Sequence, residues 1–149
     1  SRRQRQMCIR DSTGTLQKLW RCMLQNLPEN LPYTEHSKLE RNRMREIMDY
    51  LEHNYMNKIQ MKDIAEEIHL CESECSRLFK RYMNVSLFTF LQEYRVERSL
   101  EFLLSSDDSI MEIAQKSGFT DSNYYAKVFS RVKGCSPQKY RKQNIREDM

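Results

Sequence analysis

The run HLCESECSRLFKRYMN, residues 69–84, places an imidazole and two thiols within seven residues: His69, Cys71 and Cys75. Such a group suggests either metal binding or thiol redox chemistry. A closed zinc site needs four ligands and favours CxxC pairs with a second pair at a distance. Here three residues separate Cys71 from Cys75, Cys22 and Cys135 stand alone, and His69 falls in a predicted turn between helices. No metal site is expected from that spacing. Cys71 opens a predicted helix, where a thiolate is favoured, so a thiol sensor stays open beside a plain structural role. Cys75 lies one turn further in, near the face that carries Leu78 and Phe79, and reads as a small core hydrophobe.

Other enzymatic chemistry finds little support. The chain has no Gly-rich phosphate loop and no Ser/Cys–His–Asp arrangement with supporting context, and His36, His53 and His69 are scattered. The expectation is a non-enzyme without a cofactor. Composition agrees with a binding role on a helical frame. Of 149 residues, 39% are apolar and 31% charged, with three glycines and three prolines, too few for the turns of a sandwich or barrel. Lys and Arg exceed Asp and Glu by four (25 − 21), which permits a nucleic-acid partner without requiring one. No run of eighteen apolar residues suggests a membrane span. The basic start SRRQRQMCIR lacks the apolar stretch of a signal peptide. Five cysteines without framework spacing fit reduced thiols in a cytoplasm.

Residues 1–12, SRRQRQMCIRDS, look like translated sequencing-adapter sequence. On that reading they are non-native and the chain is the C-terminal part of a longer protein; the alternative is a frayed basic arm. Residues 15–27 repeat apolar side chains at helical spacing (Leu16, Leu19, Trp20, Met23, Leu24, Leu27), and the two prolines of PENLPYTEHS mark a linker. Residues 1–36 are therefore read as a short helical N-terminal segment and linker.

From Ser37 the pattern predicts seven helices and no strand. Ser37 with Glu40 forms a capping-box pattern, and Leu39, Met44, Ile47, Met48, Leu51 and Tyr55 keep a helical period. Short helices follow at 61–68 and 72–83, then a longer one at about 87–104. Ser109 caps a short helix ended by Gly118, a further helix ends at Gly134, and Pro137 suits the first turn of the last one. The middle of the chain also repeats at its end. Ile64-Ala65 matches Ile113-Ala114 at an offset of 49. After the turn, Phe79, Arg81, Asn84, Ser86 and Phe90 match Phe129, Arg131, Gly134, Ser136 and Tyr140 at an offset of 50. Asn and Gly most readily adopt the left-handed residue that ends a helix. Each copy thus reads as short helix, tight turn, second helix and left-handed stop, a helix-turn-helix. Small Ala65 and Ala114 suit a close helix crossing, and Gly118 suits the turn, where the first copy has His69.

Residues 110–142, IMEIAQKSGFTDSNYYAKVFSRVKGCSPQKYRK, resemble the second helix-turn-helix and tail of AraC/XylS-type transcriptional regulators. Residues 61–104 resemble the first half of that domain and its connecting helix. The resemblance covers roughly 105 of the 149 residues. Its most specific parts are the Ile-Ala…Gly-Phe run and the Phe-x-x-x-x-Gly-x-Ser-Pro-x-x-Tyr-Arg tail. It departs at Asn84 (usually Gly), Cys71 (usually Ser), Cys75 (often Leu) and Ser99 (usually Ala). The resemblance implies an all-α fold of two helix-turn-helix subdomains on a tandem DNA-binding domain at 37–142. Residues 37–86 form the first unit, 87–104 the connecting helix, 105–142 the second unit and 143–149 a tail.

The implied function is sequence-specific, cytoplasmic, nucleoid-associated transcription regulation, as an activator. Its partners are double-stranded promoter or operator DNA and RNA polymerase, with no membrane and with an effector ligand acting through an upstream domain. Two recognition helices would enter successive major grooves, roughly 34 Å apart. Motif alignment places the base-reading positions on Ser73, Ser76 and Arg77 and on Ser122, Asn123 and Lys127. Arg77 has the fork to bind guanine, and Asn123 can pair with adenine. The core stripe of the second recognition helix reads as Tyr124, Val128 and Phe129. Candidate phosphate contacts are Lys80, Arg81, Arg131, Lys133, Lys139, Arg141 and Lys142. Arg95, in mid connecting helix, is expected in an ion pair or at a helix end. The alternative function is a helical protein-interaction module with little DNA affinity.

Overall fold

The computed structural model describes residues 34–145. The Trp20 stripe, Cys8 and Cys22 lie outside the described residues. The described residues fall into two compact units that divide after Asp49. The described residues form seven helices and no strand. They are α1 (Glu35–Asn54), α2 (Met61–Glu67), α3 (Glu72–Met83), α4 (Leu87–Ser105), α5 (Ile110–Lys116), α6 (Ser122–Lys133) and α7 (Pro137–Ile145).

Helix α1 starts one turn earlier than its sequence suggests. Thr34 caps it: its hydroxyl accepts from the Ser37 amide at 3.2 Å, and the Ser37 hydroxyl donates back to the Thr34 carbonyl at 2.8 Å. Two hydroxyl residues compete as caps, and the earlier one gains helix length once nucleation is met. Met44, Ile47, Leu51 and Tyr55 are buried, but Leu39 is 46% exposed. At 3.6 residues per turn Leu39 falls roughly 140° round the helix from Met44, which takes it off the apolar stripe.

In the larger unit the two copies of the repeat agree bond for bond. The Leu70 amide donates to the Ala65 carbonyl at 3.0 Å, and Phe119 to Ala114 at 2.9 Å. His69 donates to Glu66 at 3.3 Å, and Gly118 to Gln115 at 3.2 Å. These bonds make the same tight turn in α2–α3 and α5–α6, with His69 at φ 57° and Gly118 at φ 92°. Histidine tolerates this left-handed region better than most side chains. Asn84 (φ 59°) and Gly134 (φ 79°) both end their helices left-handed. Ser86 and Ser136 then cap α4 and α7 by accepting from Thr89 and Lys139.

Helix α4 is the common support, packing on α3 as well as on α5, α6 and α7. Apolar positions run almost all round it, with Leu87, Phe90, Leu91, Tyr94, Val96, Leu100 and Leu103 buried, as expected of a helix covered on several sides. Its second half shares a core with α5 and α6 built from Ile113, Ala114, Phe119, Tyr125, Val128 and Phe129. Ala65 and Ala114 are buried within α2 and α5.

Candidate nucleic-acid interface

Helix α3 buries Cys75, Leu78 and Phe79. On its other side Glu72, Ser73, Arg77 and Lys80 are exposed and Ser76 is half-buried. Helix α6 repeats the arrangement: Tyr125, Val128 and Phe129 are buried, Asn123 and Lys127 exposed, and Ser122 and Ala126 half-buried. Spacing of three and four residues puts each polar set on one face. All six expected base-reading positions therefore lie on the outer sides of the two second helices.

One expected core residue is corrected. Tyr124 is 44% exposed, and Tyr125 is the buried ring. Both tyrosines have apolar partners four residues on, so local spacing alone does not separate them. The repeat does, because Tyr125 matches Cys75 at the offset of 50 and Cys75 is fully buried. The Tyr125 hydroxyl is satisfied inside the core, donating at 2.8 Å to Ser99, whose own hydroxyl donates to the Val96 carbonyl at 2.6 Å. Burial pushes the Tyr125 phenol up to about 12, against a smaller opposing effect of the Ser99 bond. That bond gives the buried Ser99 hydroxyl a partner within the core.

Tyr124 instead faces α4, where its hydroxyl meets the Gln92 side-chain amide. The Gln92 oxygen accepts from Arg131 Nη2 at 3.2 Å. Gln92 therefore ties two α6 side chains to the connecting helix. Sequence reasoning missed it, since a half-buried glutamine carries no periodic signal.

The basic residues divide by environment. Lys80, Arg81, Arg131, Lys139 and Lys142 are exposed. Lys133 has a side chain only 19% exposed and sits 2.5 Å from Glu97 of α4. Arg141 turns inward: its Nε donates to the Leu103 carbonyl at 2.9 Å, and Nη2 donates to Asp108 at 2.8 Å and Ser106 at 3.5 Å. It caps the C-terminal end of α4 and the loop beyond. Both residues were expected on phosphate; their charges and donors are engaged within the domain. Arg95 makes the expected helix-end contact, donating to the Tyr55 carbonyl at 2.7 Å and the Asn57 carbonyl at 2.9 Å, just past α1.

The thiol–imidazole run also resolves. Cys75 is fully buried and burial pushes its thiol up to about 11, the opposite of an activated nucleophile. Cys71 is exposed, with its sulfur 3.3 Å from the Ser73 hydroxyl. Among the described residues no group of three or more His, Cys, Asp and Glu side chains is placed to hold a metal ion.

The family model described as a helix-turn-helix domain matches residues 64–143, more than half of the chain. The chain belongs to the AraC-type helix-turn-helix family. It is 28% identical over 134 residues to the HTH-type transcriptional regulator YdeC of Bacillus subtilis (strain 168), covering 90% of this chain and 46% of that protein. It is 29% identical over 119 residues to the transcriptional activator RhaR of Mannheimia succiniciproducens, covering 80% of this chain and 41% of that one. The chain thus spans less than half the length of these curated relatives. Among solved structures, the C-terminal domain of the response regulator yesN from Fusobacterium nucleatum is 26% identical with a TM-score of 0.63, covering 67% of this chain and 98% of that domain. Family and fold are those of DNA-binding transcription regulators, not of enzymes. Among the described residues no helix is long and apolar enough to cross a membrane.

Proposed function

We propose that this AraC-type chain reads DNA with both second helices, α3 and α6 lying in successive major grooves of one duplex. The observation that carries the reading is the paired one above: each helix buries one side in the domain and leaves a polar stripe outward. On α3 the base edges fall to Ser73, Ser76 and Arg77, and on α6 to Ser122, Asn123 and Lys127. Arg77 suits guanine through its two-pronged donor set, and Asn123 suits adenine. Phosphate contacts fall to Lys80, Arg81, Arg131, Lys139 and Lys142. Lys133 and Arg141 drop out of that set, because leaving Glu97 or the α4 carbonyls would strand buried partners. Likeness to an activator favours activation, with RNA polymerase as a protein partner, an effector acting through another part of the full-length protein, and a nucleoid location in the cytoplasm.

The test is selection of bound sequences from a random duplex pool at about 0.15 M salt. Two conserved boxes about one helical turn apart are expected. A single box would remove one recognition helix from the reading, and no enrichment would favour the protein-interaction module. On the recovered duplex, Arg77→Ala should relax preference at one base step, whereas Lys142→Ala should weaken all sequences alike. Equal, sequence-blind losses from both would refute the base-reading assignment.

A further inference from the structure

A recognition helix reads only where its neighbour lets it sit, so two on one chain need a fixed relation. Besides the Gln92 and Glu97 contacts to α6, one close approach bears on that relation. From α3, Phe79 packs on Phe90 of α4 with ring centroids 5.6 Å apart, Phe90 stacks on Tyr94 at 6.2 Å, and Tyr94 meets Tyr55 edge-on at 5.4 Å. The Arg98 guanidinium lies over the Tyr55 ring, 5.3 Å from its centre. On the other side, Phe119 follows Gly118 in the second turn and packs on Tyr125 of α6 at 5.1 Å. Between these two chains of rings stands one joint. Gly118 approaches the Tyr55 carbonyl so closely that an added Cβ would lie 2.3 Å from its oxygen and 2.8 Å from Arg95 Nε. Arg95 of α4 lies at the joint, beside Gly118, and donates to that same carbonyl and to that of Asn57.

We infer that the Arg95–Tyr55–Gly118 joint sets the relation between the two recognition helices, and that Arg95 is thereby a specificity-determining residue for the spacing between DNA boxes. The inference rests on the two-groove reading. Arg95 touches no base; it acts by holding a turn of the first unit against the turn that leads into α6. Changing the spacer by one base pair rotates one box by about 35° relative to the other. A stiff joint resists that rotation, and a loosened one follows it. Lysine cannot replace Arg95 fully, because one ammonium does not reproduce a planar fork shared between two carbonyls.

The experiment uses the whole chain and a two-box duplex recovered from the random pool, with its spacer lengthened or shortened one base pair at a time. For the wild type, a one-base-pair change should weaken binding about tenfold, a penalty of about 1.4 kcal/mol. Arg95→Ala and Arg95→Lys should flatten that profile to about threefold or less, with a smaller loss on the best spacer. A merely structural arginine would weaken all spacers equally. If Arg95→Ala does not fold, Arg95→Lys decides. A spacer-sensitive wild type whose variants are equally sensitive overturns the joint alone. A wild type indifferent to spacer overturns the two-groove reading and the joint with it.

Discussion

Gly118 and Gly134 have the same side chain and similar backbone angles, φ 92° and 79°, yet the structure gives alanine very different costs at the two sites. An added Cβ at Gly134 meets nothing within 4 Å. Gly134→Ala therefore suffers the left-handed strain alone, about 1–2 kcal/mol, part of which is offset by about 0.4–1 kcal/mol of lost unfolded-chain entropy. The net cost should be about 1 kcal/mol. At Gly118 the same strain is joined by a 2.3 Å clash with a backbone oxygen, which no side-chain rotation relieves. The turn must move away by about 1 Å to restore ordinary contact. The same Cβ would lie 2.8 Å from Arg95 Nε, so relief that displaces Arg95 instead loses its bond to the Tyr55 carbonyl, and a bond from a charged donor is worth about 1.5–3 kcal/mol. Gly118→Ala should then cost about 3–5 kcal/mol, a large share of a typical domain's stability. Urea unfolding followed by circular dichroism measures both, with Gly134→Asn as a control. That control should cost little, since Asn84 takes φ 59° in the matching position. Equal costs for the two alanine variants, within about 0.5 kcal/mol, would refute the close approach at Gly118 and weaken the joint built on it.

Three further outcomes are expected. Ser99→Ala should destabilise by about 1–3 kcal/mol because it strands the buried Tyr125 hydroxyl; adding Tyr125→Phe should recover much of that loss in a double-mutant cycle of urea midpoints. Burial raises Cys75 from 9.0 to about 11 and Tyr125 from 10.0 to about 12. For each group the folded state holds its proton longer than the unfolded chain does. Their contribution to stability is therefore complete below about pH 9 and falls as pH rises through about 11 and then 12. Peptide mapping after iodoacetamide at neutral pH should accordingly find Cys71 modified and Cys75 protected, and prompt labelling of Cys75 would contradict its burial. Lys142→Ala should lower the slope of log affinity against log salt by about one, from about −4.5 for five phosphate contacts. Arg141→Ala should instead lower the unfolding midpoint through the lost α4 cap, and a Lys142-like result for Arg141 would return it to the phosphate set.

The legible part of this fold was whatever depends on backbone conformation. Asn84 and Gly134 mark left-handed stops, Ser86, Ser109 and Ser136 mark caps, and Pro137 marks a first turn, because each position admits few residue types whatever surrounds it. Helices α3 and α6 could be bounded within a residue, and the outer polar stripes followed from their buried partners. Sequence reasoning failed where two residues satisfied the same local rule. Thr34 and Ser37 can each cap a helix three residues later. Tyr124 and Tyr125 each have an apolar partner four residues on.

Arg141 was hidden for a different reason, whereas Arg95 was expected as far as its helix-end contact. Arg95 and Arg141 both end as caps on carbonyls beyond a helix C-terminus, reaching Tyr55 and Asn57 in one case and Leu103, Ser106 and Asp108 in the other. A guanidinium bound to carbonyls has no charged partner to reveal it, and its acceptors lie between 33 and 40 residues away along the chain. In a basic tail such as that of Arg141, it resembles any other phosphate ligand until the fold is known. The two arginines also act at different places. Arg141 closes the end of α4 within the second unit, whereas Arg95 holds the loop after α1 to α4 beside that unit's turn. Losing Arg141 should weaken one unit; losing Arg95 should leave both units folded but free to turn against each other. Spacer selectivity separates the two roles, because a destabilised unit weakens binding on every duplex and a loosened joint rescues the wrongly spaced ones.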